Sequence, residues 1–232
     1  MSAPDRSGYL WGNASFAFAA VAVRAFVETS WLAEIRGARP DGANAGLVTG
    51  LPAIGYGTGS AEFPRSITDA HFTDTREKEL SDLGFIPLCH SPGTAEAVFF
   101  TTPSVQKPKL FSEAVAGANA RLSAMLQYIL CVSRFAHYLK VIIRDQVGGY
   151  TTAADIEDRL QNWIIRYVAS NDNASQESKA MYPLREARVD VRDNPHKPGQ
   201  YQCSIYLRPH FQLDQLSAGI RLTTQLNTRS AE

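Results

Sequence analysis

Apolar and polar residues alternate along two stretches near the end of the chain. The first runs from Leu184 to Val191 and the second from Gln200 to Leu207. A period of two predicts half-buried β-strands, and the proline-containing segment Asn194–Gly199 between them predicts a β-hairpin. A third extended segment is predicted from Leu216 to Leu226.

Apolar residues three or four positions apart mark the longest of the other segments. They predict one continuous helix from Ser112 to Val147, stopped by Gly148 and Gly149. At ~1.5 Å per residue such a helix would be roughly 50 Å long. The next helix is predicted to begin after Thr152, its N-cap, and to end near Ala169.

The start of the chain contains another helical pattern. Asn13 is a favourable N-cap for a helix from Ala14 to Arg36, which the following glycine is placed to end. The segment Gly37–Gly59 has no sustained period and is predicted to be a surface loop or a set of short extended pieces. Ser170–Ala180 is predicted to be a polar linker.

A short helix followed by a hairpin is predicted in the middle of the chain. Asp74 as N-cap and Glu77 three residues later resemble a capping box, in which each side chain satisfies an open backbone donor. This helix is predicted to end near Gly84. The segments Phe85–Cys89 and Ala97–Phe100 flank turn-forming residues and predict the hairpin.

The order of these elements predicts an α+β fold, with long helices, segregated antiparallel hairpins and a C-terminal β arm. We divide the chain into a helix, loop and hairpin region (1–111), a helical pair with its linker (112–180), and a terminal hairpin with its arm (181–232). Two or three strands are marginally stable alone and leave backbone groups open at both edges. The open edges of the terminal strands are therefore predicted to pair with a further extended segment.

Charge and cysteine content narrow the function classes. The 23 Lys and Arg residues balance the 23 Asp and Glu residues, which argues against nucleic acid or an anionic membrane as the main partner. The most apolar run, Phe16–Val23, is too short to cross a membrane. Cys89, Cys131 and Cys203 are far apart in sequence, which favours reduced cytoplasmic thiols over a zinc site or a disulfide framework.

Two groups of residues invite a chemical interpretation, and each has a simpler one. Gly55–Gly59 is glycine-rich like a phosphate-binding loop, but it lacks the GK[ST] ending and a strand leading into it, so a flexible loop is predicted. Asp155, Glu157 and Asp158 fall in the first turn of a helix, where the helix dipole already favours carboxylates.

A third group lies on one side of the long helix. His137 shares that side with Arg134, Lys140 and Arg144, an arrangement that suits either a catalytic or anion-binding face or a polar, interface-facing stripe. We favour the stripe, and keep a small-molecule-binding or hydrolytic enzyme using His137 and Arg134 as the alternative function. No catalytic, cofactor-binding or metal-binding residue is predicted.

Five motifs in a fixed order carry a resemblance to a known family. They are Tyr9–Ala14, Thr75–Leu80 with Leu83–Phe85, Ser104–Lys109, Ser133–Val141 and Leu207–Gln212. With this series the chain, from Tyr9 to about Leu226, resembles the C-terminal half of the large sheath subunit of bacterial type VI secretion systems, the TssC/VipB family. That subunit is about twice as long, so the chain is expected to be a fragment without the N-terminal half.

The resemblance implies a structural, non-enzymatic protein without cofactors. It would assemble with the small sheath subunit (TssB/VipA type) and with other copies of itself into a helical polymer around the inner tube protein (Hcp type), and would contract to propel the tube and its effectors. The cytoplasmic assembly would be anchored to the envelope through the baseplate. An AAA+ unfoldase would act on the full-length protein only, and neither nucleic acid nor membrane insertion is implied.

The resemblance also implies that extended arms of neighbouring subunits complete one another's sheets. The acceptor would be the hairpin of Ala187–Arg192 and Gln200–Leu207, and the donated arm would be Leu216–Leu226. The predicted subunit-interface residues are Ala187, Val189, Val191, Tyr201, Cys203, Ile205, Leu207, Leu216, Ile220 and Leu222.

Overall fold

The chain divides into two units in a computed structural model. The first consists of Met1–Glu28 and Glu34–Val105, and the second of Thr29–Ala33 and Gln106–Glu232. Helices and antiparallel strands are segregated along the chain, which confirms the α+β class. The division at residues 111 and 180 stays a prediction. The structure describes residues 10–38, 45–52, 55–56, 63–64, 66–145, 152–171, 173–193, 200–210 and 220–227.

Short strands and two helices build the first unit. Its elements are α1 (Ala14–Thr29), β1 (Leu47–Val48), β2 (Gly55–Tyr56), β3 (Phe63–Pro64), α2 (Asp74–Asp82), β4 (Cys89–His90) and β5 (Ala97–Val98). The strands form one sheet in the order β1-β5-β4 and a separate β2-β3 pair, all antiparallel.

The first helix begins as predicted and ends earlier. The Asn13 side-chain oxygen accepts the Ser15 N–H at 2.9 Å, which confirms the cap. The predicted end at Arg36 is wrong, because α1 stops at Thr29 and Ser30 takes a left-handed conformation (φ 62°). Trp31 follows immediately and is buried in the core of the second unit.

The second helix is capped one residue before the predicted position. The Thr73 hydroxyl, rather than Asp74, accepts the Arg76 N–H at 3.3 Å, so the predicted N-cap is wrong. The Glu77 carboxylate does not close a capping box but accepts the Thr101 hydroxyl at 2.5 Å. The predicted end of the helix near Gly84 is confirmed.

Burial corrects part of the predicted surface loop. Leu47 and Val48 of β1 are buried and pair with β5, so this part of Gly37–Gly59 lies inside the unit. The predicted hairpin is confirmed between β4 and β5, although its first strand begins at Cys89 rather than Phe85. Of the glycine-rich segment, residues 55–56 form β2 and the rest lies outside the described residues.

Gly46 lies where two backbone segments approach each other closely. A Cβ atom at Gly46 would stand 2.5 Å from the Phe99 carbonyl oxygen and 2.8 Å from the backbone of Arg36. The Gly46 N–H donates to the Gly37 carbonyl at 2.7 Å, and its carbonyl accepts the Phe99 N–H at 3.0 Å. The position therefore requires the absence of a side chain.

Longer helices and a three-stranded sheet build the second unit. Its elements are α3 (Ala114–Ser123), α4 (Leu126–Arg144), α5 (Ala153–Ile164) with a 3₁₀ turn (Ile165–Tyr167), α6 (Gln176–Met181), β6 (Leu184–Asp193), β7 (Gln200–Pro209) and β8 (Ile220–Asn227). The prediction of a single helix over Ser112–Val147 is wrong, because the chain breaks between α3 and α4, where Met125 is extended (φ −71°, ψ 141°). The predicted linker contains α6, and Gly148 and Gly149 lie outside the described residues.

The core of this unit lies between the sheet and two helices. One face of β6 and β7 packs against the apolar stripes of α4 and α5, and Trp31 stacks on Phe135 with ring centroids 4.3 Å apart. The buried residues of this cluster are Trp31, Cys131, Val132, Phe135, Leu139, Ile143, Ile156, Leu160, Ile164, Leu184, Val189, Val191, Cys203, Ile205 and Leu207.

One helix in the described ranges, α4, is long and apolar enough by composition to cross a membrane. It is also the central helix of this core, where Phe135 and Leu139 are completely buried. A core helix meets the same criterion, so its length and composition are weak evidence for a membrane span.

We expect Gly46→Ala to destabilise the first unit by about 1–3 kcal/mol, because the added methyl group meets backbone atoms that cannot turn away. Chemical denaturation followed by circular dichroism measures the change. Gly12→Ala is the matched control, since nothing lies within 4 Å of its added carbon. Equal stability of the two variants would contradict this account of Gly46.

Candidate subunit interface

The three terminal strands form one antiparallel sheet in the order β6-β7-β8. In the centre of the sheet Val189 lies opposite Ile205, which in turn lies opposite Leu222. The predicted terminal hairpin is confirmed as β6 and β7, and each strand ends two residues later than predicted. β7 is paired along both sides, so β6 and β8 are the edge strands.

The inner face of this sheet is committed to the chain's own core. Val189, Val191, Cys203, Ile205 and Leu207 are each at most 7% exposed. Ala187 and Tyr201 are partly buried and pack against the same cluster. The side chains of these seven predicted interface residues therefore pack against the chain's own core.

The predicted arm forms a strand that pairs with its own chain in this single-chain structure. β8 extends from Ile220 to Asn227, and its residues Ile220 and Leu222 lie opposite Leu207 and Ile205 of β7. Leu216, the predicted start of the arm, lies outside the described residues. Whether neighbouring copies exchange this strand is not tested by one chain and stays a prediction.

Side chains of α5 occupy the outer edge of β6. The Gln161 amide accepts the Val189 N–H at 2.9 Å through its oxygen and donates to the Ala187 carbonyl at 3.2 Å through its nitrogen. The Glu157 carboxylate accepts the Val191 N–H at 2.8 Å. Because backbone groups alternate in direction along an antiparallel strand, these are the groups that point away from β7.

The spacing of the two side chains matches the spacing of the strand. Residues 157 and 161 are four apart on a helix, a rise of ~6 Å. Val189 and Val191 are two apart on a strand, a distance of about 6.6 Å. Glu157 meets the later strand residue and Gln161 the earlier one, so α5 runs antiparallel to β6 along its edge.

The beginning of the same edge is closed by backbone. Val168 forms a parallel bridge with Leu184, and the Ala169 N–H donates to the Leu184 carbonyl at 2.8 Å. By contrast, no other strand pairs with the outer edge of β8 in the described part of the chain. From the register, the backbone groups of Arg221, Thr223 and Gln225 point outward there.

The contacts of Glu157 and Gln161 with the β6 edge were not predicted from the sequence. Asp155, Glu157 and Asp158 were predicted to lie together in the first turn of a helix, and only Asp155 does. The Asp155 carboxylate completes a capping box with Thr152, whose hydrogen bonds lower the pKa of the carboxyl. The available signal was two polar residues four positions apart, beside the buried stripe of Ile156, Leu160 and Ile164.

The cationic stripe of α4 has a structural use at Arg134. Its guanidinium lies 4.8 Å from the centre of the Trp31 ring, donates to the Ser30 carbonyl and donates to the Tyr138 hydroxyl at 3.2 Å. Arg134 therefore fixes the turn after α1. His137 is exposed, with its ring centroid 6.0 Å from that of Tyr138.

An open polar groove of about 550 Å³ lies elsewhere on the second unit. Its lining in the described residues includes neither Arg134 nor His137, so it does not assemble the alternative enzyme site. Across the described ranges, no group of three His, Cys, Asp or Glu side chains is placed to hold a metal ion. The lining residues are Ile142, Asp155, Asp158, Arg159, Asn162, Trp163 and Arg166.

The three cysteines are free and buried. Burial raises the pKa of the Cys131 thiol to about 12, and burial together with nearby carboxylates raises the pKa of Cys89 and of Cys203 to about 11. Thiols of this kind are poor nucleophiles.

Comparison with known proteins identifies two domains of one family. The model described as the EvpB/VC_A0108 tail sheath N-terminal domain matches residues 1–106, and the EvpB/VC_A0108 tail sheath gpW/gp25-like domain matches residues 115–226. The type VI secretion system sheath protein TssC1 of Pseudomonas aeruginosa is 38% identical to this chain over 224 residues. The alignment covers 96% of this chain and 44% of that relative, so the chain spans less than half of the relative's length.

We expect the three cysteine thiols not to react with a thiol reagent until the protein unfolds, because they are buried and protonated.

The pKa values of these thiols are raised above the ordinary 9.0, so between pH 9 and 11 the thiols of the unfolded chain lose protons that those of the folded chain keep. The free energy of unfolding should therefore fall as the pH rises through this range. Reagent titration and denaturation at several pH values measure both effects, and fast labelling of the folded chain would contradict the burial.

Proposed function

This chain belongs to the VipB/EvpB family of tail sheath proteins, and we propose that it is a structural element of the contractile sheath of a bacterial type VI secretion system. The observation that carries the proposal is the terminal sheet, whose inner face is buried in its own core while its last strand lies at an edge. Such a sheet can join other chains through its backbone without exposing apolar side chains.

The connection before β8 supports exchange of that strand between copies. Ten residues lie between Pro209 and Ile220, whereas hairpin loops usually have about 2–5. A segment of this length reaches roughly 33 Å when fully extended. The arm Leu216–Leu226 of one copy can then take, on the hairpin of a neighbour, the place that β8 takes here.

The free energy of the β7–β8 pairing suits a sheath whose subunits move. Eight residue pairs join β7 and β8. At ~1 kcal/mol net per hydrogen bond, such a ladder contributes several kcal/mol, about what the association of two chains costs. Exchange preserves these contacts, so a single joint is weak and reversible, while many joints in one polymer act together.

The partners follow from this function. We propose assembly with the small sheath subunit of the TssB/VipA type and with other copies of this chain, around an inner tube protein of the Hcp type and on a baseplate. The assembly would be cytoplasmic, and an AAA+ unfoldase would act on the full-length protein only. Contraction would be driven by better packing in the short state, without a nucleotide or cofactor.

We expect the full-length subunit lacking the segment from Leu216 onward to fold and to form no tubules with the small subunit. The hairpin remains packed on α4 and α5, but the arm that links copies is gone. Co-expression followed by negative-stain electron microscopy tests this, with the unshortened subunit as the control. Normal tubules from the shortened subunit would refute the role of the arm.

A cysteine pair distinguishes exchange from pairing within one chain. Ser204 and Thr223 lie opposite each other in the register, as a pair whose backbones do not bond to each other and whose Cα atoms are about 4.5 Å apart. With Ser204→Cys and Thr223→Cys together, assembled tubules should give covalent multimers on a non-reducing gel. The isolated chain should close the bond internally.

The native cysteines will not interfere, because all three are buried. Ser204→Cys alone is the control and should give no cross-linked ladder. Tubules in which the disulfide forms only within single chains would show that β8 pairs with its own chain and is not exchanged.

A further inference from the structure

We propose that Glu157 and Gln161 form an edge clamp that closes β6 to strand addition, so that an extended segment of another sheath subunit can join this sheet only on the β7–β8 side. The proposal deepens the proposed function and rests on it only for its biological purpose. The clamp itself consists of contacts within one chain and is testable on that chain alone.

Both residues use their side-chain hydrogen-bonding groups on the edge of β6. The Val189 and Val191 N–H groups are the donors that an added strand would need, and the Gln161 and Glu157 oxygens hold them at 2.9 and 2.8 Å. The Ala187 carbonyl, an acceptor on the same edge, receives the Gln161 amide. An incoming strand would have to displace all three bonds.

The edge of β6 is also blocked sterically. The buried residues Ile156, Leu160 and Ile164 fix α5 in the core, so the Glu157 and Gln161 side chains are held beside the edge. Val168 and Ala169 occupy the edge at Leu184. A strand needs a free lane about 4.8 Å from its neighbour, and the Glu157 and Gln161 side chains lie in that lane.

The opposite edge of the sheet, at β8, differs from that of β6. β8 makes its ladder with β7 and has no further strand partner among the described residues. Its backbone groups at Arg221, Thr223 and Gln225 point away from β7, the direction in which an extended segment would add. One protected edge and one available edge give strand addition a single direction, as an ordered polymer needs, whereas two available edges permit off-register stacking.

Two measurements on the 232-residue chain test the clamp. In Glu157→Ala with Gln161→Ala, the Val189 and Val191 amides should exchange hydrogen at least about tenfold faster, because they lose their acceptors. Sedimentation velocity should show this variant associating at concentrations where the parent chain does not. Glu157→Gln, which keeps an acceptor oxygen for Val191, and Asp158→Ala, an exposed neighbour on the same helix, should behave like the parent.

A third substitution separates the two edges. Thr223→Pro removes an outward N–H of β8 without removing a bond to β7. Added to the clamp variant it should leave the new association intact, whereas in the full-length subunit it should reduce tubule formation. Association of the clamp variant that disappears with Thr223→Pro would mean that β8, not β6, carries it, and would overturn the proposal.

Unchanged amide exchange, or a clamp variant that associates no more than the parent chain, would also overturn the proposal. If the double variant does not fold, Gln161→Ala alone frees the Val189 amide and the Ala187 carbonyl and is judged by the same two criteria. Failure of the clamp in the isolated chain leaves the sheath function standing. Absence of tubules from the unsubstituted full-length subunit would count against that function and not against the clamp.

Discussion

Burial of one face of the terminal sheet against α4 and α5 is the constraint on which the second unit depends. The strand period of two puts Val189, Val191, Cys203, Ile205 and Leu207 on that face, and the helical period puts the α4 and α5 stripes opposite them. At about 1.5–3 kcal/mol for each fully buried apolar side chain, this face cannot be turned toward another molecule without unfolding the unit. The inner face of the sheet is therefore not available for assembly.

The two edge strands of the terminal sheet differ, because α5 lies along β6 and not along β8. α5 runs along β6 and satisfies its outward groups with Gln161 and Glu157, while the backbone at Val168 and Ala169 continues the cover. β8 is at the other edge, after a connection much longer than a hairpin needs. In a sheath protein this asymmetry suits joints that form in one direction, each weak enough to move and numerous enough to hold.

The turn after α1 brings Trp31 into the core beside α4. Trp31 stacks on Phe135, and Arg134 lies over Trp31 while donating to the Ser30 carbonyl. Arg134, one of the residues that suggested an anion-binding face, thus fixes the turn after α1. Arg134 of α4 packs on Trp31, while Glu157 and Gln161 of α5 bond to the edge of β6.

The sequence by itself determined the elements whose signals are local: the terminal hairpin from its alternation, the Asn13 and Thr152 caps, the end of α2 near Gly84, and, through five ordered motifs, the family. Only the tertiary structure decided the end of α1 at Thr29, the break before α4, the burial of Leu47 and Val48, and the use of Glu157 and Gln161. The physical reason is the range of the interactions. Periodicity and capping act over a few residues, whereas Trp31 meets a partner about a hundred positions away and Glu157 one that is 34 positions away. Such contacts override local preference wherever the energy of packing exceeds that of propensity.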